Sequence, residues 1–133
     1  MIARRDLETI ARSRLREAKV LFRSGHYDGA AYLCGYAIEL ALKVRICRHL
    51  KWNGFPENRG ESKWASALKI HDLDALLELS GVQARIRSTY VGEWSIIYDT
   101  WTPEMRYQVI GSSNAATTLP MIQAATTLLR TLL

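Results

Sequence analysis

The chain has 133 residues, 48% of them hydrophobic, with 18 Lys and Arg against 13 Asp and Glu and a formal charge of +5. That length suits one domain spanning 1–133 with a real core, and the positive balance favours anionic partners. The most apolar run, Ala30 to Cys47, is broken by Glu39, Lys43 and Arg45, which excludes a membrane span, and the charged opening Met1 to Glu8 lacks the pattern of a secretory signal, so a soluble cytoplasmic protein is expected.

From Asp6 to Arg23 the apolar positions Leu7, Ile10, Ala11, Leu15, Ala18, Leu21 and Phe22 recur every three or four residues, which predicts an amphipathic helix ended by Gly25. A second helix is expected from Tyr27 or Asp28 to about Leu50, with Arg45, Arg48 and His49 suiting its C-terminal dipole. Ala30, Ala31, Leu33, Cys34, Ala37, Ile38, Leu40, Ala41, Leu42, Val44 and Ile46 leave it little polar face, so it belongs at the centre of a bundle or in a subunit interface. Gly35 and the alanines permit close helix approach.

Trp52 to Ser66 holds Asn53-Gly54, Pro56, Asn58 and Gly60 and reads as a long connection. A short helix is expected from Asp72 to Leu79, stopped by Ser80-Gly81, then a longer one from Gln83 to Asp99 with Ile86, Tyr90, Trp94 and Ile97 on one face. Thr102-Pro103 interrupts, Gly111 to Asn114 reads as a capping turn, and the last helix is expected from Ser113 to Leu132. Pro120 either kinks that helix or marks a later start. Strand-like alternation is missing, so the pattern points to an all-α protein, an antiparallel bundle of four or five helices.

Cys34 and Cys47 lie 13 positions apart in one helix, about 20 Å at 1.5 Å per residue, so they cannot bridge and are expected as free buried thiols. With no Cys-x-x-Cys pair and three scattered histidines, neither a metal nor another cofactor is expected.

The segment Tyr27-Asp28-Gly29-Ala30-Ala31-Tyr32-Leu33-Cys34-Gly35-Tyr36-Ala37-Ile38-Glu39-Leu40-Ala41-Leu42-Lys43 resembles the second helix of HEPN domains. His71-Asp72-Leu73-Asp74-Ala75-Leu76-Leu77 is similar to the start of the family's third helix, and Trp101-Thr102-Pro103-Glu104-Met105-Arg106-Tyr107 to the arginine-tyrosine motif before its last. The resemblance runs from about Asp6 to Leu132 and implies a helical bundle that dimerises, with a polar cleft near the dimer interface. It further implies one of two roles: a metal-independent ribonuclease built on an arginine, four to six intervening residues and a histidine, or a binding domain that partners a small nucleotidyltransferase in toxin–antitoxin or defence pairs.

The chain departs from the ribonuclease spacing. His26 follows Arg23 by three, His49 follows Arg45 by four and Arg48 by one, His71 has its nearest preceding arginine at Arg59, and no histidine follows Arg106. The first expectation is therefore a non-catalytic homodimer that binds a nucleotide, RNA or a nucleotidyltransferase. The alternatives are a divergent ribonuclease toxin and a plain dimerisation adaptor.

Four residues stand out as ligand-binding candidates. Glu39 and Lys43 share a helix face at four-residue spacing, and a buried carboxylate needs a partner, so Glu39 is expected against Lys43 or Arg106, or lining a cleft for a ribose or base edge. Arg106, beside Tyr107 and after Pro103, is placed at the mouth of the bundle, where a guanidinium suits phosphate or pairs with Glu39 or Glu104.

Arg5, Arg12, Arg16, Lys19 and Arg23 fall on one stripe of the first helix, a basic ridge able to track a phosphate backbone or simply a solvated face, partly offset by Glu8. His71-Asp72 tempts as a catalytic pair, but Asp72 reads as a capping carboxylate and His71 as a partly buried packing residue. Of the four tryptophans, Trp94 fits the core stripe, and only Trp52 and Trp64 remain as base-stacking candidates.

Overall fold

Leu7, Ala11, Leu15 and Ala18 share one side of a helix, and in the computed structural model these are the residues that α1 (Arg4–Arg23) buries. The structure describes residues 1–56 and 71–133. α1 stops where Gly25 takes φ +80°, a left-handed conformation that glycine adopts without penalty. There the Gly25 N–H donates to the Phe22 carbonyl at 3.1 Å and the His26 N–H to that of Leu21 at 2.9 Å, the two bonds of a Schellman stop.

The chain reverses into α2 (Tyr27–His49), which buries residues around most of its circumference, among them Ile38, Leu42, Val44 and Ile46. Its expected central place holds, because it packs against α1, α3 (Leu73–Leu79) and α6 (Ala115–Leu132). Beyond α2, β2 (Gly54–Phe55) pairs antiparallel with β1 (Ile2–Ala3), and the Arg4 N–H donates to Asn53 O at 2.9 Å. This corrects the expectation of no strands. A rung of two residues is too short to show alternation in sequence.

Asp72 caps α3 by accepting from the Asp74 and Ala75 N–H groups at 2.9 and 3.4 Å. The single helix expected over Gln83 to Asp99 is two, α4 (Gln83–Thr89) and α5 (Val91–Thr100), separated by Tyr90 at φ −118° and ψ 28°. Ser88-Thr89-Tyr90-Val91-Gly92 strings together β-branched, aromatic and glycine residues, each a weak helix former. Ile86, Trp94 and Ile97 are nevertheless buried together, since the Tyr90 N–H still donates to Ile86 O and the Trp94 N–H to Tyr90 O.

A 3-10 turn, Pro103–Tyr107, leads to α6, whose cap is the Asn114 side chain in a reciprocal pair with Thr117. Pro120 lies inside α6, so the later start does not hold. Six α-helices among the described residues and one small strand pair make an all-α fold, with the split of α4 from α5 accounting for the helix beyond the expected five.

Two contacts tie the last third of the chain to α2. The buried Trp101 ring lies flat against Gly35, where a Cβ would overlap the indole, and its Nε1 donates to Tyr32 O at 2.9 Å. Asp28 accepts from the backbone N–H groups of Gly111 and Ser113 at 2.6 and 2.8 Å, and these bonds hold its carboxyl below the ordinary aspartate range.

Gly35→Ala should therefore lower the unfolding free energy by about 1–3 kcal/mol in urea, the cost of overpacking, whereas Gly92→Ala, whose Cβ meets open space in α5, should raise it by about 0.5 kcal/mol. Because the Asp28 pKa is depressed, its contribution is complete above the unfolded value near 3.8 and lost as pH falls through the lower folded value. Amide exchange at Gly111 and Ser113 should accelerate in Asp28→Ala at neutral pH, and in wild type, relative to the intrinsic rate, only below about pH 4.

Candidate functional site

α2 carries one polar stripe. Tyr32, Tyr36, Glu39 and Lys43 follow at spacings of four, three and four, which stacks them on a single face. The Glu39 carboxylate is 2% exposed, and burial of that charge demands partners. Lys43 Nζ donates to one oxygen at 3.3 Å, as the four-residue spacing leads one to expect, and His71 Nδ1 lies 2.9 Å from the other.

The second partner was not foreseen. His71, expected as a partly buried packing residue, is 54% exposed and pairs with a helix 32 positions away. The capping role of Asp72 explains it, because the extended backbone at the start of α3 brings the preceding residue back over α2.

Lys43 is held on its other side as well. Its ammonium lies 5.3 Å from the centre of the buried Phe55 ring, which the β1–β2 pair presses down over α2. A cleft of about 280 Å³ opens here, lined by Ile2, Tyr36, Glu39, Lys43, Phe55 and His71. On the other flank of His71 lies a wider cleft of about 580 Å³ bounded by Asp72, Tyr98, Asp99, Trp101 and Glu104. The imidazole thus forms the wall between two clefts.

The chemistry of this arrangement follows from the hydrogen bond. A carboxylate beside Nδ1 keeps the proton of the neutral imidazole on that nitrogen and leaves Nε2 as an acceptor facing outward from the pair. Burial, then Glu39 and Tyr32, push the Tyr36 hydroxyl up against the opposing pull of Arg14, so Tyr36 stays a neutral donor.

Arg106 joins the site from a distance. It meets tyrosines rather than Glu39 or Glu104: hydrogen bonds to Tyr32 and then Tyr107 hold its charge, and its guanidinium lies 5.0 Å from the Tyr107 ring centre. Both side chains are exposed, Tyr107 to 78%. Tyr32 stacks between Tyr36 at 6.1 Å and Trp101 at 6.4 Å, so an aromatic run connects Arg106 to the Glu39 cluster. The expected Arg106 to Glu39 pair is thereby replaced by an indirect link, because the 3-10 turn ends over the N-terminal half of α2.

Along α1, Arg5, Arg12, Arg16 and Arg23 are exposed and Lys19 is half-buried, with Arg12 paired to Glu8 at 3.1 Å. Trp52 is half-buried and packs on the core, which removes it as a free stacking surface; Trp94 is buried as expected; Trp64 lies outside the described residues. Cys34 and Cys47 are free and buried, and burial pushes the Cys34 thiol up to about 12 despite Lys19. Among the described residues no three His, Cys, Asp or Glu side chains gather to hold a metal ion.

Glu39→Ala leaves the Lys43 charge only 12% exposed and without its anion, and chemical denaturation should show a loss of about 3–5 kcal/mol. The double replacement Glu39→Leu with Lys43→Met, which removes both charges, should recover most of it.

A family model described as HEPN domain matches residues 5–105, which takes in the basic ridge, Glu39, Lys43 and His71 and ends one residue before Arg106. No curated protein and no solved structure matches the chain. With three quarters of its length matched, and an all-α bundle built around a polar stripe on its second helix, the chain belongs to the HEPN domain family.

Proposed function

We propose that this HEPN domain is a non-catalytic homodimeric module that binds RNA or a nucleotide, with the Glu39 cleft reading a ribose or base edge. The supporting observation is the buried Glu39 carboxylate, which orients Lys43 and a half-exposed His71 beside Tyr36 and Phe55. Donors held in place next to aromatic walls are what a nucleoside requires. Arg106, exposed and fully charged, and the ridge of Arg5, Arg12, Arg16, Lys19 and Arg23 supply phosphate contacts around it. The usual arginine-to-histidine spacing is missing, which is why the reading stops at binding.

One observation favours a second reading. The Glu39–His71 pair is a carboxylate-oriented imidazole with a free nitrogen, competent to take the proton of a ribose 2′-hydroxyl in a metal-independent cleavage, with Lys43 or Arg106 as the cation for the phosphorane. In that case the domain is a divergent ribonuclease toxin. A nucleotidyltransferase as protein partner fits the first reading, and a gene for one beside this gene would support it.

The test is end-labelled single-stranded and structured RNA in excess chelator, with wild type, His71→Ala and Arg106→Ala. The expected outcome is binding without cleavage, weakened about tenfold in Arg106→Ala by loss of a charge-assisted contact of about 1.5 kcal/mol. Cleavage abolished in His71→Ala would instead establish the ribonuclease. Neither binding nor cleavage would move the domain to a protein adaptor, and a dimer mass by light scattering checks the oligomer independently.

A further inference from the structure

The face of α2 opposite the Glu39 stripe carries Arg45 and Arg48, roughly 160° and 140° around the helix from Lys43. Both reach the end of α6. Arg45 donates to Thr131 O at 3.1 Å, and Arg48 to Leu132 O and Leu133 O at 3.4 Å, while Arg48 also pairs with Glu8 at 3.1 Å. Carbonyls at a helix C-terminus are a reasonable counterpart for a cation, and so far these two arginines are caps.

A third guanidinium makes the cluster more than a cap. Arg85 of α4 lies close enough to depress Arg45, together with burial, which is the largest cause, and Arg48. Arg85 sits 5.9 Å from the Tyr90 ring centre, and hydrogen bonds from Thr131 and then Arg85 hold the Tyr90 hydroxyl below its ordinary value against slight burial and the charge of Glu93. Arg85 forms no ion pair among the described residues, and the Nε of Arg45 is buried without a hydrogen-bond partner there. Among the described side chains Glu8 is the one carboxylate paired into this group of three arginines, with Glu93 acting on Tyr90 beside it, so positive charge is in excess and an unmet donor lies at one end of the bundle. Like charges gathered in this way are unfavourable unless an anion is brought to them.

We propose that Arg45, Arg48 and Arg85, with the Tyr90 hydroxyl, form a binding site for a phosphate group. Guanidinium forks match the tetrahedral oxygens of phosphate, and a phosphate placed here relieves the mutual repulsion that the α6 carbonyls only partly offset. The site is separate from the Glu39 cleft and does not depend on it. The phosphate is either free, as in a small polyphosphate, or one link of a nucleic-acid backbone.

Arg85→Gln tests this, because Arg85 is exposed and caps no helix, so the variant should stay folded, with an anion-free melting temperature equal to or above that of wild type as the repulsion on Arg45 is relieved. Two probes are used on the full chain: inorganic pyrophosphate by calorimetry, and a labelled single-stranded RNA oligonucleotide titrated across a range of salt. A free-phosphate site predicts pyrophosphate binding that falls about tenfold or more in Arg85→Gln. A backbone site predicts that the slope of log affinity against log salt becomes shallower by about 0.7, one phosphate contact. Either result supports the proposal, and an Arg85→Gln protein indistinguishable from wild type with both probes overturns it. RNA affinity that responds to His71→Ala but not to Arg85→Gln would leave the cleft reading standing alone; pyrophosphate binding lost in Arg85→Gln without RNA binding by wild type would leave only this site.

Discussion

The Glu39 carboxylate is the constraint around which the rest of the molecule is arranged. Placed in the middle of the most apolar helix, it needs polar partners where water does not reach it. Lys43 comes from the next turn, and its own burial is made tolerable by the Phe55 ring above it. That ring is positioned by a strand pair with the first residues of the chain, and His71 by the capped start of α3. One buried charge therefore gathers the β1–β2 pair and the residue before α3 at a single face of α2. Replacing the whole cluster with apolar residues would build a comparable core, so stability alone does not require these charges.

How much of this was legible in the sequence depends on distance along the chain. The run from Leu7 to Ala18, the stop at Gly25, the near-continuous apolar circumference of α2 and the cap at Asp72 are all local patterns, and each appears where the spacing placed it. The Glu39 to Lys43 pair is local too, one helical turn apart. His71 was misjudged because its partner lies 32 positions away and no periodicity relates them; the only available signal was that Glu39, buried among apolar residues, had two oxygens to satisfy and one neighbour in reach. Arg106 is exposed, and its tyrosine partners depend on how the 3-10 turn lies over α2, which spacing does not encode. The break at Tyr90 was masked by a hydrophobic face that continues through it.

α2 separates two electrostatic environments. On one face the carboxylate, the ammonium and the imidazole are matched, and a further three carboxylates, Asp72, Asp99 and Glu104, border the wider cleft beside them. On the opposite face, towards its C-terminus, cations outnumber anions. Among the described residues the positive charge is thus not spread evenly: it gathers on the α1 ridge and at the end where α2 meets α6, while the Glu39 cleft is close to neutral and the wider one beside it is acidic. Under the proposed reading, a phosphate backbone would meet the cationic surfaces and an uncharged ribose or base the Glu39 cleft.

The family match ends at residue 105, yet α6 lies wholly beyond it and is not an ornament. Its C-terminal carbonyls receive Arg45 and Arg48, its apolar side closes on α2, and the turn before it is tied to Asp28. The helix that the family model leaves out is therefore the one that positions the second cationic cluster, while the matched region holds the buried carboxylate. An activity that needs only the cleft can be carried by the shared part of the fold. One that also needs the cationic end depends on α6, and on the reversal at Asp28 that sets where α6 begins.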